Sequence, residues 1–158
     1  MKILGIDPGT NLTGFGLIEK NAQKLICLDC GVIHTKCRTP HSDRLLEIYR
    51  DLRQIIKRSK PNLIAIEKLF FFKNAKTAFT VGQARGVILL AARKEKIRIV
   101  EPTPLQVKMA VCSNGRAEKV QVGKMVAKIL DLAQVPKPDD AADALAIAIW
   151  AANSRLNK

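Results

Sequence analysis

The sequence predicts an α/β fold built on a mixed five-stranded sheet, three antiparallel strands followed by two parallel ones, with helices on both faces. Two observations carry this prediction. The first part of the chain contains short apolar runs separated by polar or Pro-Gly turns, which is typical of a strand meander. The remainder alternates helical apolar spacing with short apolar runs, which is typical of helices between buried strands. At 158 residues the chain is the size of one domain, 1–158.

Three strands are predicted at the start of the chain. Residues 3–7 form an apolar run that ends at Pro8-Gly9, which indicates a buried strand followed by a turn. Residues 14–19 and 24–33 give two further strands, separated by a polar turn. Because the connections are short, these three strands are expected to be antiparallel.

Helices and strands alternate from residue 42 onwards. Leu45, Tyr49, Leu52 and Ile56 recur every three to four residues, which predicts an amphipathic helix over 42–60 that ends at Pro61. Buried strands follow at 63–67 and 97–100, with helices over 75–96, from 103, over 118–132 and over 140–153. The two later strands alternate with helices, so they should lie parallel to the first strand. This order fits the ribonuclease H-like architecture.

The composition indicates a polyanionic partner. Lys and Arg number 27 against 14 Asp and Glu, a formal net charge of +13 that favours nucleic acid or an acidic membrane surface. The most apolar stretches, 87–92 and 144–152, are far shorter than the ~20 residues that span a bilayer. The N-terminal apolar run is too short for a signal peptide, so a cytoplasmic protein without membrane contact is expected.

Four residues, Cys27, Cys30, His34 and Cys37, have a spacing that resembles a zinc knuckle. The run around them predicts a strand, however, and a regular strand would direct Cys27 and Cys30 to opposite faces. Two zinc ligands do not converge from opposite faces of one strand. The pattern therefore favours reduced thiols that pack as small apolar residues.

Two acidic residues stand where buried strands end. Asp7 ends the first strand directly before Pro8-Gly9, and Glu67 ends the fourth. An ionised carboxylate there loses hydration without an evident partner. The carboxyl ends of strands are also where α/β sheets bind ligands. One such acid would be interpreted as a turn residue, but two on neighbouring strands favour a functional site.

The last helix adds two more acids. Asp140 and Asp143 share one face of its first turn, whereas Asp139 points about 100° away. Stabilisation of the helix dipole explains an acid at the very start, but it explains Asp143 poorly because that residue lies within a run of alanines. Four converging carboxylates would repel unless cations intervene, and their hard oxygens select Mg2+ or Mn2+. Two such ions ~4 Å apart suit an in-line phosphodiester displacement.

Six motifs appear together in one order along the chain: IDPG at 6–9, AIE at 65–67, GQARG at 82–86, PLQVK at 104–108, AEK at 117–119 and DAADALA at 140–146. With these motifs the chain resembles the RuvC family of bacterial crossover (Holliday) junction endodeoxyribonucleases over about residues 3–150. Each motif alone is weak, and the six in order are highly specific.

The resemblance implies a ribonuclease H-like homodimer that resolves four-way DNA (Holliday) junctions during recombination and repair. Its reaction would be symmetric, metal-dependent phosphodiester hydrolysis in two opposed strands. The metal would be Mg2+, two ions per subunit, with Mn2+ as a substitute. Carried over position by position, the resemblance makes four residues the metal-binding catalytic acids: Asp7, Glu67, Asp140 and Asp143.

The resemblance also assigns residues to the DNA path. It makes Lys108 and Lys119 part of the basic lining and Phe70 an aromatic contact at the junction. The branch-migration proteins RuvA and RuvB are implied as partners. Ser113 departs from the pattern, because the family usually has glycine in this turn between two helices.

The residues themselves support two of these roles. An exposed ring near Glu67 would stack on an unpaired base, worth ~1–3 kcal/mol, and we favour Phe70 among Phe70–Phe72 for it. Gly82 and Gly86 lie in a helix that is apolar on almost every side, so this helix is predicted to form a two-fold interface. Its burial under a later helix of the same subunit is the alternative.

Other functions remain open at this point. The loop after the first strand resembles the phosphate loop of actin- and hexokinase-like ATPases, but those enzymes need a second domain for which 158 residues leave no room. A catalytically silent DNA-binding protein would explain the charge but not the four acids. A ribonuclease H-like nuclease that acts on another branched or RNA-containing substrate is the closest alternative.

Overall fold

The structure is a computed structural model of the chain, and it describes residues 1–22, 24–69 and 75–154. Within these ranges the chain forms five strands and five helices. The strands are β1 (Lys2–Asp7), β2 (Leu12–Asn21), β3 (Lys24–His34), β4 (Leu63–Ile66) and β5 (Arg98–Val100). The helices are α1 (His41–Ser59), α2 (Ala75–Lys94), α3 (Pro104–Cys112), α4 (Lys119–Ile129) and α5 (Asp139–Asn153).

The strands form one mixed sheet in the order β3-β2-β1-β4-β5. The pairs β3-β2 and β2-β1 are antiparallel, and β1-β4 and β4-β5 are parallel. The predicted sheet is therefore confirmed. In the β1–β4 register Ile6 lies beside Ile66, so the two strands end at the same edge.

The helices cover both faces of the sheet, as predicted. One core cluster joins the sheet to α1 and α2, and a second joins the opposite face to α3, α4 and α5. Alternate residues of β1 enter different clusters, Ile3 on the α5 side and Leu4 and Ile6 on the α1 side. Asp7, two residues beyond Gly5 on the same face, is thereby directed towards α5.

Two helices end earlier than predicted. Lys96 follows α2 and Asp131 follows α4, and both adopt left-handed backbone, with φ of 58° and 54°. A helix cannot continue through this conformation. Ser113 ends α3 in the same way, with φ of 53°, and its N–H donates to the Met109 carbonyl. Glycine adopts this left-handed conformation without a steric cost, which explains why it suits the position of Ser113.

Helix α5 lies directly on the backbone of β1 and β2. A Cβ atom at Gly5 would stand 2.1 Å from the Ala144 carbonyl oxygen, and one at Gly14 would stand 2.1 Å from that of Asp140. At Gly16 it would stand 2.7 Å from the Leu145 nitrogen. The three glycines therefore allow a backbone-to-backbone approach that no other residue permits.

One prediction about the cysteines is wrong. Leu17 pairs with Asp29 while Ile18 pairs with Cys27, so β3 contains one unpaired residue at Leu28. This β-bulge shifts the side-chain alternation, and both Cys27 and Cys30 pack against the core cluster on the α5 side. All four cysteines are free thiols. Burial, followed by the Cys30 thiol, raises the pKa of Cys27 to about 11.

Helix α2 leaves one apolar stripe uncovered. Phe79 and Leu90 are 73% and 56% exposed, and Gly86 between them faces open space. These residues recur at helical spacing on one side of α2.

In the part of the chain that the structure describes, no helix is long and apolar enough to cross a membrane.

We expect Gly5→Ala to destabilise the protein by about 1–3 kcal/mol, because the added methyl group would collide with backbone atoms of α5. Urea unfolding of the two proteins measures the difference. Gly31→Ala is the matched strand control, since its methyl group would meet the movable ring of Phe15 at 3.2 Å. Equal stabilities for wild type and Gly5→Ala would contradict the close helix contact.

Candidate active site

The predicted acids are brought together at one edge of the sheet. Asp7 is the last residue of β1, Glu67 directly follows β4, and Asp143 lies in α5. These three side chains line a cavity of about 210 Å3. We call this cavity the acid pocket. It is also lined by Pro104, Val107, Lys108, Lys119, Val122 and Ala146.

The two acids that begin α5 have different surroundings. Asp140 is half-buried, and its charge acts on both Asp7 and Lys119 although its side chain does not line the acid pocket. Asp139 is exposed and forms an ion pair with Lys137 at 2.9 Å, which holds the pKa of Asp139 below its usual value. The two acids therefore diverge, as their spacing predicted.

Burial and the charges of neighbouring carboxylates make Asp7 and Glu67 hard to ionise. Burial contributes most to raising the pKa of Asp7 well above its usual value, and the charges of Glu67, Asp143 and Asp140 raise it further. Burial and then Asp143 raise the pKa of Glu67 to about 7. The pocket thus holds more negative charge than its surroundings stabilise.

Two lysines offset part of this charge. Lys119, the first residue of α4, donates from Nζ to Oδ2 of Asp143 at 2.8 Å. This hydrogen bond raises the pKa of Lys119 above its usual value. Lys108 in α3 lies close enough to Glu67 to oppose the rise in the pKa of that carboxyl. Both lysines that the sequence singled out therefore lie beside the acids.

Capping interactions direct the two helices that carry these lysines. The Thr103 side chain accepts from the backbone of Gln106, whose own side chain accepts from the Thr103 N–H. Glu118 and Gln121 form the same reciprocal pair at the start of α4. Each capping box satisfies backbone donors that a helix start leaves free. The capping boxes thus fix where α3 and α4 begin, and with them the positions from which Lys108 and Lys119 reach the pocket.

Comparison with known proteins identifies the family. The family described as "Crossover junction endodeoxyribonuclease RuvC" matches residues 3–151. A curated protein of that name from Halothermothrix orenii is 53% identical over 159 residues, covering 100% of this chain and 96% of its own. The chain belongs to the RuvC family.

Solved structures of RuvC have the same fold. The Thermus thermophilus RuvC structure superposes with a TM-score of 0.88 at 35% identity, covering 99% of this chain and 97% of its own. T. thermophilus RuvC in complex with Holliday junction substrate gives 0.88 at 32% identity, covering 99% and 96%. The ribonuclease H-like architecture expected from the sequence is therefore confirmed.

RuvC nucleases depend on divalent metal, and the acid pocket suits such an ion chemically. Its donors are carboxylate oxygens, which hard divalent cations prefer. Burial and then the neighbouring carboxylates raise the pKa values of Asp7 and Glu67, and a divalent cation would stabilise the ionised form of both groups. Within the described ranges, no three His, Cys, Asp or Glu side chains form a preassembled metal cage. The Lys119 ammonium pairs with Asp143, and its charge also acts on Asp7.

Two residues stand apart from the sequence predictions. Phe70 lies outside the described residues, so its role stays a prediction. Arg85, which sequence reasoning did not single out, donates from Nε to the Glu67 carbonyl at 3.1 Å. An arginine in an otherwise apolar helical stretch, flanked by Gly82 and Gly86, was the signal that could have found it.

The stability of the metal-free protein should fall as pH rises from 4.5 through about 7. The native state binds a proton at Glu67 more tightly than the unfolded chain, whose glutamate has the usual value of 4.5. Stability from this group is therefore complete below 4.5 and is lost as Glu67 ionises. Urea unfolding with a chelator, across pH of about 5 to 8, measures this decline.

Glu67→Gln should flatten part of that decline, because glutamine does not titrate. Asp139→Asn is the control, since Asp139 is exposed and outside the pocket. The same slope in wild type and Glu67→Gln would show that Glu67 does not carry the buried proton.

Proposed function

We propose that the protein cuts four-way DNA junctions by hydrolysing a phosphodiester bond in each of two opposed strands, in recombination and repair. The observation that carries the proposal is the acid pocket, a buried group of carboxylates flanked by Lys108 and Lys119 in a chain of net charge +13. Acidic ligands suit a metal-dependent nuclease, and the surrounding cations suit a phosphate backbone. The likeness to a RuvC in complex with Holliday junction substrate supports the choice of substrate.

We propose Mg2+ as the metal, with two ions per subunit and Mn2+ as a substitute. Four carboxylates would hold them: Asp7, Glu67, Asp140 and Asp143. When bound, the ions would supply charge stabilisation at the attacking and leaving oxygens of the phosphodiester. With its pKa raised to about 7, the Glu67 carboxyl is protonated in about half of the molecules at neutral pH, so binding of a cation there would favour release of a proton.

The chain's own cations bind and orient the phosphate. Lys119 is 69% exposed at its side chain while its Nζ contacts Asp143, so it reaches from the pocket to the solvent side where DNA would lie. An ammonium in that position stabilises negative charge that develops on the scissile phosphate. Lys108 contributes in the same way from α3. Phe70 is proposed as the aromatic contact with an unpaired base at the junction.

The protein is proposed to act as a homodimer that pairs through α2. A four-way junction has two scissile phosphates related by two-fold symmetry, which one pocket per subunit serves only if two subunits pair. The uncovered stripe of Phe79, Gly86 and Leu90 supplies an apolar, closely approachable helix face for this contact. RuvA and RuvB are the proposed branch-migration partners. A cytoplasmic location, where bacterial DNA lies, completes the proposal.

Loss of any one acid should abolish cleavage without loss of junction binding. We expect Asp7→Asn, Glu67→Gln, Asp140→Asn and Asp143→Asn to cut at background rates with Mg2+. Each loses a metal-binding oxygen, whereas affinity for DNA comes from exposed cations. Gel-based cleavage of a labelled junction, with binding measured in Ca2+, separates the two effects.

Asp139→Asn is the matched control, because it removes the same charge from the exposed neighbour of Asp140. It should cut almost normally. Parallel reactions on a linear duplex and an RNA–DNA hybrid test the substrate. Equal cleavage of all three substrates would favour a different ribonuclease H-like nuclease.

Leu90→Glu should shift the protein towards monomer and lower junction cleavage, because it would bury an unpaired carboxylate in the α2 contact. Sedimentation velocity at micromolar concentration, with and without junction DNA, measures the state of assembly. Leu46→Glu is the matched control, since it makes the same change at an exposed leucine of α1. A wild-type protein that stays monomeric on the junction would contradict the two-fold arrangement.

A further inference from the structure

A guanidinium group holds the backbone segment that carries Glu67. Arg85 lies in α2, and its side chain is 18% exposed. Its Nε donates to the Glu67 carbonyl oxygen at 3.1 Å, and its Nη2 forms an ion pair with Glu101, directly after β5. Arg85 is not among the residues that line the acid pocket. It therefore acts on the pocket through the backbone, without reaching the reacting atoms.

The backbone around Glu67 is held from three directions. The Glu67 N–H donates to the Ile6 carbonyl of β1 at 3.3 Å, and the Lys68 N–H donates to the Pro102 carbonyl at 2.8 Å. The third bond is the one that the Glu67 carbonyl accepts from Arg85. Of these three hydrogen bonds, the one from Arg85 is donated by a side chain. Substitution of Arg85 can therefore remove that hydrogen bond and leave the two backbone hydrogen bonds in place.

We propose that Arg85 is a positioning residue for cleavage, which fixes the Glu67 carboxylate in the acid pocket by holding the Glu67 carbonyl. The ion pair with Glu101 keeps the guanidinium oriented, since the planar fork serves both partners at once. This inference rests on the proposed catalytic role of Glu67.

The same contact links the pocket to the proposed dimer face. Arg85 directly precedes Gly86, which lies on the uncovered stripe of α2. The helix that is proposed to meet the second subunit with its outer face thus also holds the Glu67 backbone, through Arg85.

Arg85→Gln should lower the single-turnover cleavage rate constant by about 10- to 100-fold, the loss expected when a catalytic group is displaced by about an ångström. The Mg2+ concentration that gives half-maximal rate should rise in the same variant, because a displaced Glu67 binds the cation less well. Arg93→Gln is the matched control, since Arg93 is an exposed arginine of the same helix. Junction affinity should fall no further in Arg85→Gln than in Arg93→Gln, because affinity comes from exposed cations and Arg85 is mostly buried.

Two further variants test the geometry. Arg85→Lys should recover only part of the rate, because a single ammonium does not reproduce the fork between Glu67 and Glu101. Glu101→Gln keeps Arg85 but loosens its anchor, so it should lower the same rate constant by a smaller factor. When Arg85→Gln and Glu101→Gln are combined, the two decreases in rate should not add, because both substitutions act through the same contact.

A cleavage rate and Mg2+ dependence for Arg85→Gln equal to those of Arg93→Gln would overturn the inference. If Arg85→Gln does not fold, Glu101→Gln decides the question, and an unchanged rate constant there would overturn it equally. Glu67→Gln, measured in parallel, keeps the two proposals apart. If Glu67→Gln cuts as fast as wild type, the proposed catalytic site is wrong. If Glu67→Gln does not cut while Arg85→Gln cuts normally, only the proposed role of Arg85 is wrong.

Discussion

The backbone contact between α5 and the first two strands is the constraint on which the rest of the structure depends. Gly5, Gly14 and Gly16 leave no side chain between the helix and the sheet, so the carbonyls of α5 lie against the strand backbone. At this distance the first turns of α5 reach the carboxyl end of β1. A layer of ordinary side chains would hold the helix at the usual packing distance, and Asp143 would be several ångströms further from Asp7.

Close packing of the helix also sets the electrostatics of the site. The contact encloses carboxylates that repel one another, and burial makes Asp7 and Glu67 harder to ionise. Lys119 and Lys108 enter from separately capped helices and balance the charge only in part. Raised pKa values of this kind in a cavity are typical of functional sites. The remaining Lys and Arg residues give the chain its net charge of +13, which favours binding to a phosphate backbone.

Much of this arrangement could be predicted because it follows from local patterns. Buried strands that end in Asp7 and Glu67, and an aspartate within alanines at Asp143, are visible without a structure. The β-bulge at Leu28 was not predictable in this way, because apolar residues follow one another from Leu25 to Leu28 and no alternation marks the shift in register. The bond from Arg85 to Glu67 was missed for a different reason. It joins residues whose proximity depends on how α2 packs, which no spacing along the chain encodes.

The contact of glycine with helix backbone has a consequence for how such a chain can diverge. An altered leucine or isoleucine in either core cluster can be matched by a neighbour that grows or shrinks, so the cores can drift while keeping their volume. No residue is smaller than glycine, and a carbonyl oxygen of α5 cannot shrink to admit a methyl group. Substitution at Gly5 or Gly14 therefore has no compensating partner. As relatives of this chain diverge, we therefore expect the two cores to change in sequence while Gly5 and Gly14 stay glycine.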